Sequence, residues 1–167
     1  MKNKQYIVGK LTEKECAKLC KKVVEANEDQ DKKEHWDIEG EIDEERLKID
    51  VKSMKRQNMY DPLPDERFHW VEFQNVRGDI GWLYGKADAF AFEIEDYFIL
   101  VRKSALQKFM ETKTNGKVLE KSKDPYTLYQ RKGRKDIVVK VKTLDLMRIS
   151  FKCIEKVKDD EQTNNQE

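Results

Sequence analysis

The sequence predicts an α/β fold in which a mixed sheet is flanked by helices. Three observations carry this expectation. Residues 35–52 alternate strictly between apolar and polar on both arms of a hairpin. Residues 12–27 and 104–110 set their apolar side chains at helical spacing. Segments at 68–76, 87–93, 97–101, 126–130 and 137–142 are short and rich in aromatic and β-branched residues, as strands are. A chain of 167 residues is long enough for one compact domain and short for two. Residues 1–157 therefore read as one domain, and 158–167, which contain no apolar residue, as a disordered polar tail.

In chain order, Thr12-Glu13-Lys14-Glu15 reads as a capping box with Thr12 at the N-cap. The helix that it opens is expected to reach about Asn27 and to bury Cys16, Leu19, Cys20, Val23 and Val24. Glu13 falls on that apolar face, although a first-turn acid also suits the helix dipole. The hairpin follows, with Asp43-Glu44-Glu45 as its connection, and lacks the Gly or Asn that tight primed turns prefer. Trp36, Ile38 and Ile42 are expected on one face of the first arm, with Asp37, Glu39 and Glu41 on the other. On the second arm Leu47, Ile49 and Val51 oppose Arg46, Lys48, Asp50 and Lys52. Matching the apolar faces puts Asp37 across from Asp50 or Lys52.

Asp61-Pro62-Leu63-Pro64-Asp65 marks an irregular loop before the third strand, Phe68 to Val76. Gly78, Gly81 and Gly85 read as turn residues, and the aromatics Trp82 and Tyr84 as an exposed surface that a partner could use. Ala87 to Glu93 is apolar enough for a central strand, and Tyr97 to Val101 follows it. Ser104 reads as the cap of a short helix carrying Leu106, Phe109 and Met110, and Lys113 to Lys123 as a polar loop. Beyond the strands Tyr126 to Gln130 and Ile137 to Lys142, Thr143 is an N-cap candidate for a segment reaching Phe151 and Ile154.

Composition excludes several classes. With 40% charged residues but a formal net charge of +1, bulk attraction to nucleic acid is absent, so any polyanion site must come from local clustering. Cys16, Cys20 and Cys153 have no metal-ligand spacing, and their odd number speaks against a disulfide framework. No stretch approaches the ~18 apolar residues of a membrane span, and no apolar segment follows Met1-Lys2-Asn3-Lys4, so a cytoplasmic protein is expected.

Two carboxylates and an ammonium converging on one strand pair suit metal-dependent phosphodiester chemistry. Mg²⁺ takes one or two carboxylates plus waters and phosphate oxygens, and a nearby cation offsets the charge that develops on the phosphate. A solvated strand face in which Glu39, Glu41, Arg46 and Lys48 form ion pairs, worth about 0–1 kcal/mol each, shows the same alternation. The order helix, hairpin and Asp50-Val51-Lys52 resembles the PD-(D/E)XK nuclease superfamily, in its restriction-endonuclease-like and Holliday-junction-resolvase-like branches. Gly9-Lys10-Leu11-Thr12-Glu13 resembles the G-x-x-x-E that opens the first helix there. The blocks HWDIEG, IDVKS and WVEFQNVRGDIGWLYGKAD are also similar to a group of tailed-phage proteins. The resemblance covers about Gly9 to Val101.

It implies a restriction-endonuclease-like α-β-β-β-α-β core and an Mg²⁺- or Mn²⁺-dependent endo- or exodeoxyribonuclease. DNA, branched or double-stranded, is the implied partner, and homodimers occur in such families. Asp37, Asp50 and Glu13 would bind the metal, and Lys52 would orient the attacking water or stabilise the phosphate. Glu72 and Gln74, on one face of the third strand, are additional candidates. Lys55, Arg56, Arg131, Lys132, Arg134 and Lys135 are the candidate contacts to a phosphate backbone, which are salt-dependent and blind to sequence. The alternative is a catalytically inactive nucleic-acid-binding or scaffold protein on the same fold. His35 and His69 lack the paired ligands of a zinc site and read as hydrogen-bonded edge residues.

Overall fold

The computed structural model describes residues 4–114, 116–120 and 124–157, so the expected tail at 158–167 lies outside it. The chain runs α1 (Lys4–Ala17), β1 (Lys21–Glu25), a π-helical turn (Gln30–Glu34), β2 (Ile38–Ile42), β3 (Glu45–Lys52) and β4 (Phe68–Gln74). A 3₁₀ turn (Trp82–Tyr84), β5 (Ala89–Glu93), β6 (Tyr97–Arg102) and α2 (Lys103–Lys113) follow. The last elements are β7 (Val118–Leu119), β8 (Leu128–Gln130), β9 (Ile137–Lys142), α3 (Thr143–Ile149) and β10 (Lys152–Glu155). Six strands form a mixed sheet in the order β1-β2-β3-β5-β6-β10, with β3 and β5 parallel; β4-β9-β8-β7 form a second sheet. The architecture is thus the mixed α/β type expected, with helices against the sheet. No helix among the described residues is long and apolar enough to cross a membrane.

The hairpin forms in the register that its alternation predicts. Ile38 lies opposite Ile49, Gly40 opposite Leu47 and Ile42 opposite Glu45. The connection is a two-residue turn in which Asp43 (φ 50°) and Glu44 (φ 67°) are both left-handed, so the primed geometry that fits strand twist is made without glycine. Arg46 Nε bonds Glu39 at 2.6 Å, one of the surface pairs expected across this hairpin. One face of β2 and β3, with Ile38, Ile42, Leu47 and Ile49, packs with Cys16, Ala91, Phe98 and Leu100. The other face joins a larger core shared with the second sheet, where Phe90, Phe92 and Val101 meet Val71, Val139 and Val141.

Several expectations are corrected. The helix does not begin at Thr12 or run to Asn27. It spans Lys4–Ala17, and Thr12 lies inside it, buried, with its hydroxyl donating to the Val8 carbonyl at 3.0 Å. Gly9 is likewise within the helix and does not open it. Residues 21–25 form β1 instead, paired to β2 through Lys21–Glu41 and Val24–Glu39. The β-branched pair Val23-Val24 favours a strand once a partner edge is present. Trp36 does not share a face with Ile38 but enters the larger core. The expected third strand, β4, leaves the first sheet for the second, so the chain from Lys52 returns to the first sheet only at β5. Neither predicted cap is a cap. Lys103 opens α2 and Thr143 is already helical, giving its hydroxyl to the Glu66 carbonyl. Phe151 follows α3 and Ile154 is in β10.

His69 is buried between the sheets, edge-on to Phe92 at 5.1 Å, and its Nε2 has no hydrogen-bond partner. Burial lowers its pKa to about 4. The unfolded chain takes up this proton below about 6.5, so the stability contributed above that pH is lost as pH falls toward 4. Denaturant unfolding of the wild type and His69→Leu at pH 7 and pH 4.5 should show the wild type losing more on acidification. The expected excess is on the order of 2 kcal/mol.

Candidate functional site

The site is built where β2 begins and β3 ends. Asp37 precedes β2 by one residue, and its backbone remains in the ladder, with its N–H donating to the Ile49 carbonyl at 2.9 Å. Its carboxylate continues the pairing, as Oδ2 accepts the Val51 N–H at 2.7 Å. Residues 37 and 50 thereby oppose each other on one face of the sheet. Lys52, two residues further along the same face, places Nζ 2.6 Å from Asp50 Oδ1. The alternation of the hairpin therefore brings Asp37, Asp50 and Lys52 together as the sequence indicated.

Asp50 is 3% exposed, and its Oδ2 has no donor. Burial raises its carboxyl well above the ordinary range; Lys52 pulls the other way, and the adjacent Asp37 pushes it further up. The Lys52 ammonium lies over the Trp82 ring, 4.3 Å from its centroid. Trp82 reaches this position because Gly81 lets the 3₁₀ turn run against β4. A Cβ at residue 81 would sit 2.3 Å from the Glu72 carbonyl oxygen, and the Gly81 N–H bonds the Phe73 carbonyl at 2.9 Å. Trp82 is only 8% exposed, which corrects its reading as a free surface aromatic.

Glu72 contributes from the second sheet although β4 does not pair with β3. Its carboxyl is raised by burial and held back by Lys52, by the Trp82 backbone N–H and by Lys55, so it faces the same cations. Lys55 belongs here as well. The residue is exposed, and partial burial, then Lys52, lowers its pKa, against Glu72 and Asp50. His35 is the residue that sequence reasoning missed. It sits at φ 57°, and its imidazole is held below its ordinary pKa by burial and then by Lys52, with Asp31 and Asp37 opposing. Its spacing of two from Asp37 is the signal that could have found it.

Other expected members are committed to partners of their own. Glu13 is near enough for Asp37 to add to the burial that raises its pKa, but its carboxylate is taken by Lys10 at 2.6 Å. Gln74 donates to the Lys135 carbonyl at 2.6 Å, at the C-terminal end of β4. In the basic turn, Arg131 is committed to the buried Asp136, with Nε 2.6 Å from Oδ2. Lys132, Arg134 and Lys135 are exposed there. Arg56 is exposed beside Lys55 and touches the Asp61 carbonyl at 3.4 Å.

Among the described residues no three His, Cys, Asp or Glu side chains are grouped so as to hold a metal ion. The donor set is instead two opposed carboxylates, one with a buried oxygen lacking any donor. A cation resting on so few carboxylates would have to draw its remaining ligands from water or substrate oxygens. Comparison with protein-family models, curated proteins and solved structures yields no match.

A buried acid whose pKa is raised in the folded state binds more protons there than in the unfolded chain, so its presence lowers stability as pH climbs above about 4. Asp50→Asn should accordingly be more stable than the wild type at pH 8, by on the order of 1 kcal/mol. The gain should disappear toward pH 4 in paired denaturant titrations.

Proposed function

We propose that the chain is a metal-dependent nuclease that hydrolyses phosphodiester bonds of DNA, on a restriction-endonuclease-like fold. One arrangement supports this above all: Asp37 and Asp50 opposed on adjacent strands, with Lys52 on the same face and Asp50 Oδ2 left without a donor. Asp50 and Asp37 are pressed together closely enough for a side-chain hydrogen bond between them to add to the rise in the Asp50 pKa, a pairing of acids that a divalent cation would relieve. Asp37 and Asp50 would hold Mg²⁺ or Mn²⁺, which when bound acidifies water and neutralises charge on phosphate.

The remaining work falls to the chain's own groups. Lys52, fixed between Asp50 and the Trp82 face, meets the charge that gathers on the attacked phosphate. Lys55 adds a second cation, and Glu72 orients the pair from across the site. His35, neutral at pH 7, is able to accept a proton close to Asp37. Exposed Arg56, Lys132, Arg134 and Lys135 carry phosphates further along the strand.

A binder without catalysis on the same fold is favoured by one observation, the sequestering of Glu13 by Lys10, which leaves two carboxylates where three were expected. The two are separated by incubating the protein with supercoiled, linear and single-stranded DNA, with Mg²⁺, with Mn²⁺ and with a chelator. A nuclease should nick only with the metal, and Lys52→Ala should lower cleavage at least 100-fold while circular dichroism and DNA retention stay unchanged. Cleavage that is undiminished in Lys52→Ala removes Lys52 from the chemistry. Salt-sensitive binding without cleavage under any metal condition identifies the binder.

A further inference from the structure

Three residues after Lys52 the chain enters a loop, 55–67, that is braced from within and apolar at its tip. The Asp65 N–H bonds the Lys55 carbonyl at 3.2 Å and closes the loop at its base. Asp61 Oδ2 accepts the backbone N–H groups of Gln57 (3.0 Å) and Asn58 (2.9 Å), and Oδ1 accepts the Asn58 side-chain amide at 2.6 Å. The Asn58 side-chain oxygen in turn accepts the Tyr60 N–H at 2.9 Å. Gln57 ties this frame to β4 through the Phe68 carbonyl at 3.3 Å, and Met54 ties its entry to Glu93 at 3.0 Å.

This frame holds Met59, Tyr60 and Leu63 in water at 76%, 85% and 72% exposure. They are the three most exposed large apolar side chains among the described residues. Such side chains contribute nothing to the protein's own core, and holding them in a fixed shape lowers the entropy lost when they contact another molecule. The chemistry at the loop's base says which molecule. Lys55 and Arg56 are both exposed at the loop's base, three and four residues beyond Lys52. The loop's acids Asp61 and Asp65 are occupied by backbone N–H groups, the Asn58 amide and Arg67, so the side-chain charges left open where the loop leaves the site are cationic. A partner that combines closely spaced anions with flat apolar faces is a nucleic-acid strand, whose bases stack on aromatic side chains when they are not stacked on each other.

We infer that Tyr60, flanked by Met59 and Leu63, stacks on an unpaired base of a DNA strand whose phosphates run along Arg56 and Lys55 toward Lys52. The loop then selects strands with an unpaired base close to the scissile phosphate, as at a gap or frayed end, over uninterrupted duplex. This rests on the proposed nuclease function and names the structural class of its substrate.

The test uses the full chain, a chelator to prevent cleavage, and fluorescein-labelled duplexes that are uninterrupted or carry a three-nucleotide gap. Fluorescence anisotropy should show the wild type preferring the gapped duplex by about tenfold or more. Tyr60→Ala should lose that preference, whereas Tyr60→Trp keeps it and uninterrupted-duplex binding changes little. A 2-aminopurine placed in the gap should be quenched by the wild type and not by Tyr60→Ala. Equal affinity of Tyr60→Ala and wild type for the gapped duplex overturns the stacking role. If the wild type cleaves DNA with Mg²⁺ all the same, the nuclease function stands without it. Absence of binding to either duplex together with absence of cleavage overturns both. A sedimentation-detected dimer that Tyr60→Ala converts to monomer, with gapped-duplex binding unaltered, assigns the tip to a second copy of the chain and overturns the inference.

Discussion

Everything at the site depends on how Asp37 sits in the ladder. Its N–H donates to the Ile49 carbonyl, and its side-chain oxygen, in place of a backbone carbonyl, receives the Val51 N–H. A carboxylate thus finishes a β-pairing that the main chain has begun to leave. The exchange fixes the rotamer of Asp37 with an ionic hydrogen bond to a rigid strand. It also forces the neighbouring side chain across the hairpin, Asp50, to live beside a negative charge. Neither acid could be shifted by one residue, since a slip in register turns every side chain on the strand to the opposite face.

Around that pair the protein arranges cations in a graded way. Lys52 lies within bonding distance of Asp50 and against the Trp82 ring, and Lys55 stands farther out, where Glu72 balances it. Lys52 lowers the proton affinity of Lys55, as a like charge must. The acids come from the first sheet, and the wall carrying Glu72 and Trp82 comes from β4 and the turn beyond it. The site is therefore a joint between two layers. Gly81 is the residue that lets this joint close, because its missing side chain admits the β4 backbone.

The legible parts of this molecule are those in which one local period decides the outcome. The hairpin, its register and the convergence of Asp37, Asp50 and Lys52 follow from period-two alternation with apolar faces matched. β5, β6, β9 and α2 were visible for similar reasons. Residues 12–27 misled because Cys16, Leu19, Cys20 and Val23 satisfy helical spacing whether or not the helix continues. The edge of β2 decided against it: the helix stops at Ala17, and Lys22, at φ 51°, sits at the irregularity in the β1–β2 pairing. Glu13, read as part of the helix's apolar face, is half-buried, and its charge is taken by Lys10 one turn earlier, an i,i+3 pair that becomes visible only once the helix is known to begin before Thr12. Glu72 and Lys55 meet only because β4 crosses to another sheet, a long-range choice that no local period encodes.

The route from β3 to β5 carries a consequence for the order of folding. These two strands are parallel neighbours, yet residues 53–88, including the apolar-tipped loop and β4, must be laid down between them. Closing so long an excursion costs entropy before any contact repays it, and pairings of this kind form late. The β2–β3 hairpin is local and forms early, exposing two neighbouring acids to water with no wall over them. The nascent chain would therefore assemble its acidic pair first and gain the enclosing aromatic and second carboxylate layer only when the excursion zips shut, so that the walled site is completed as one of the last events of maturation.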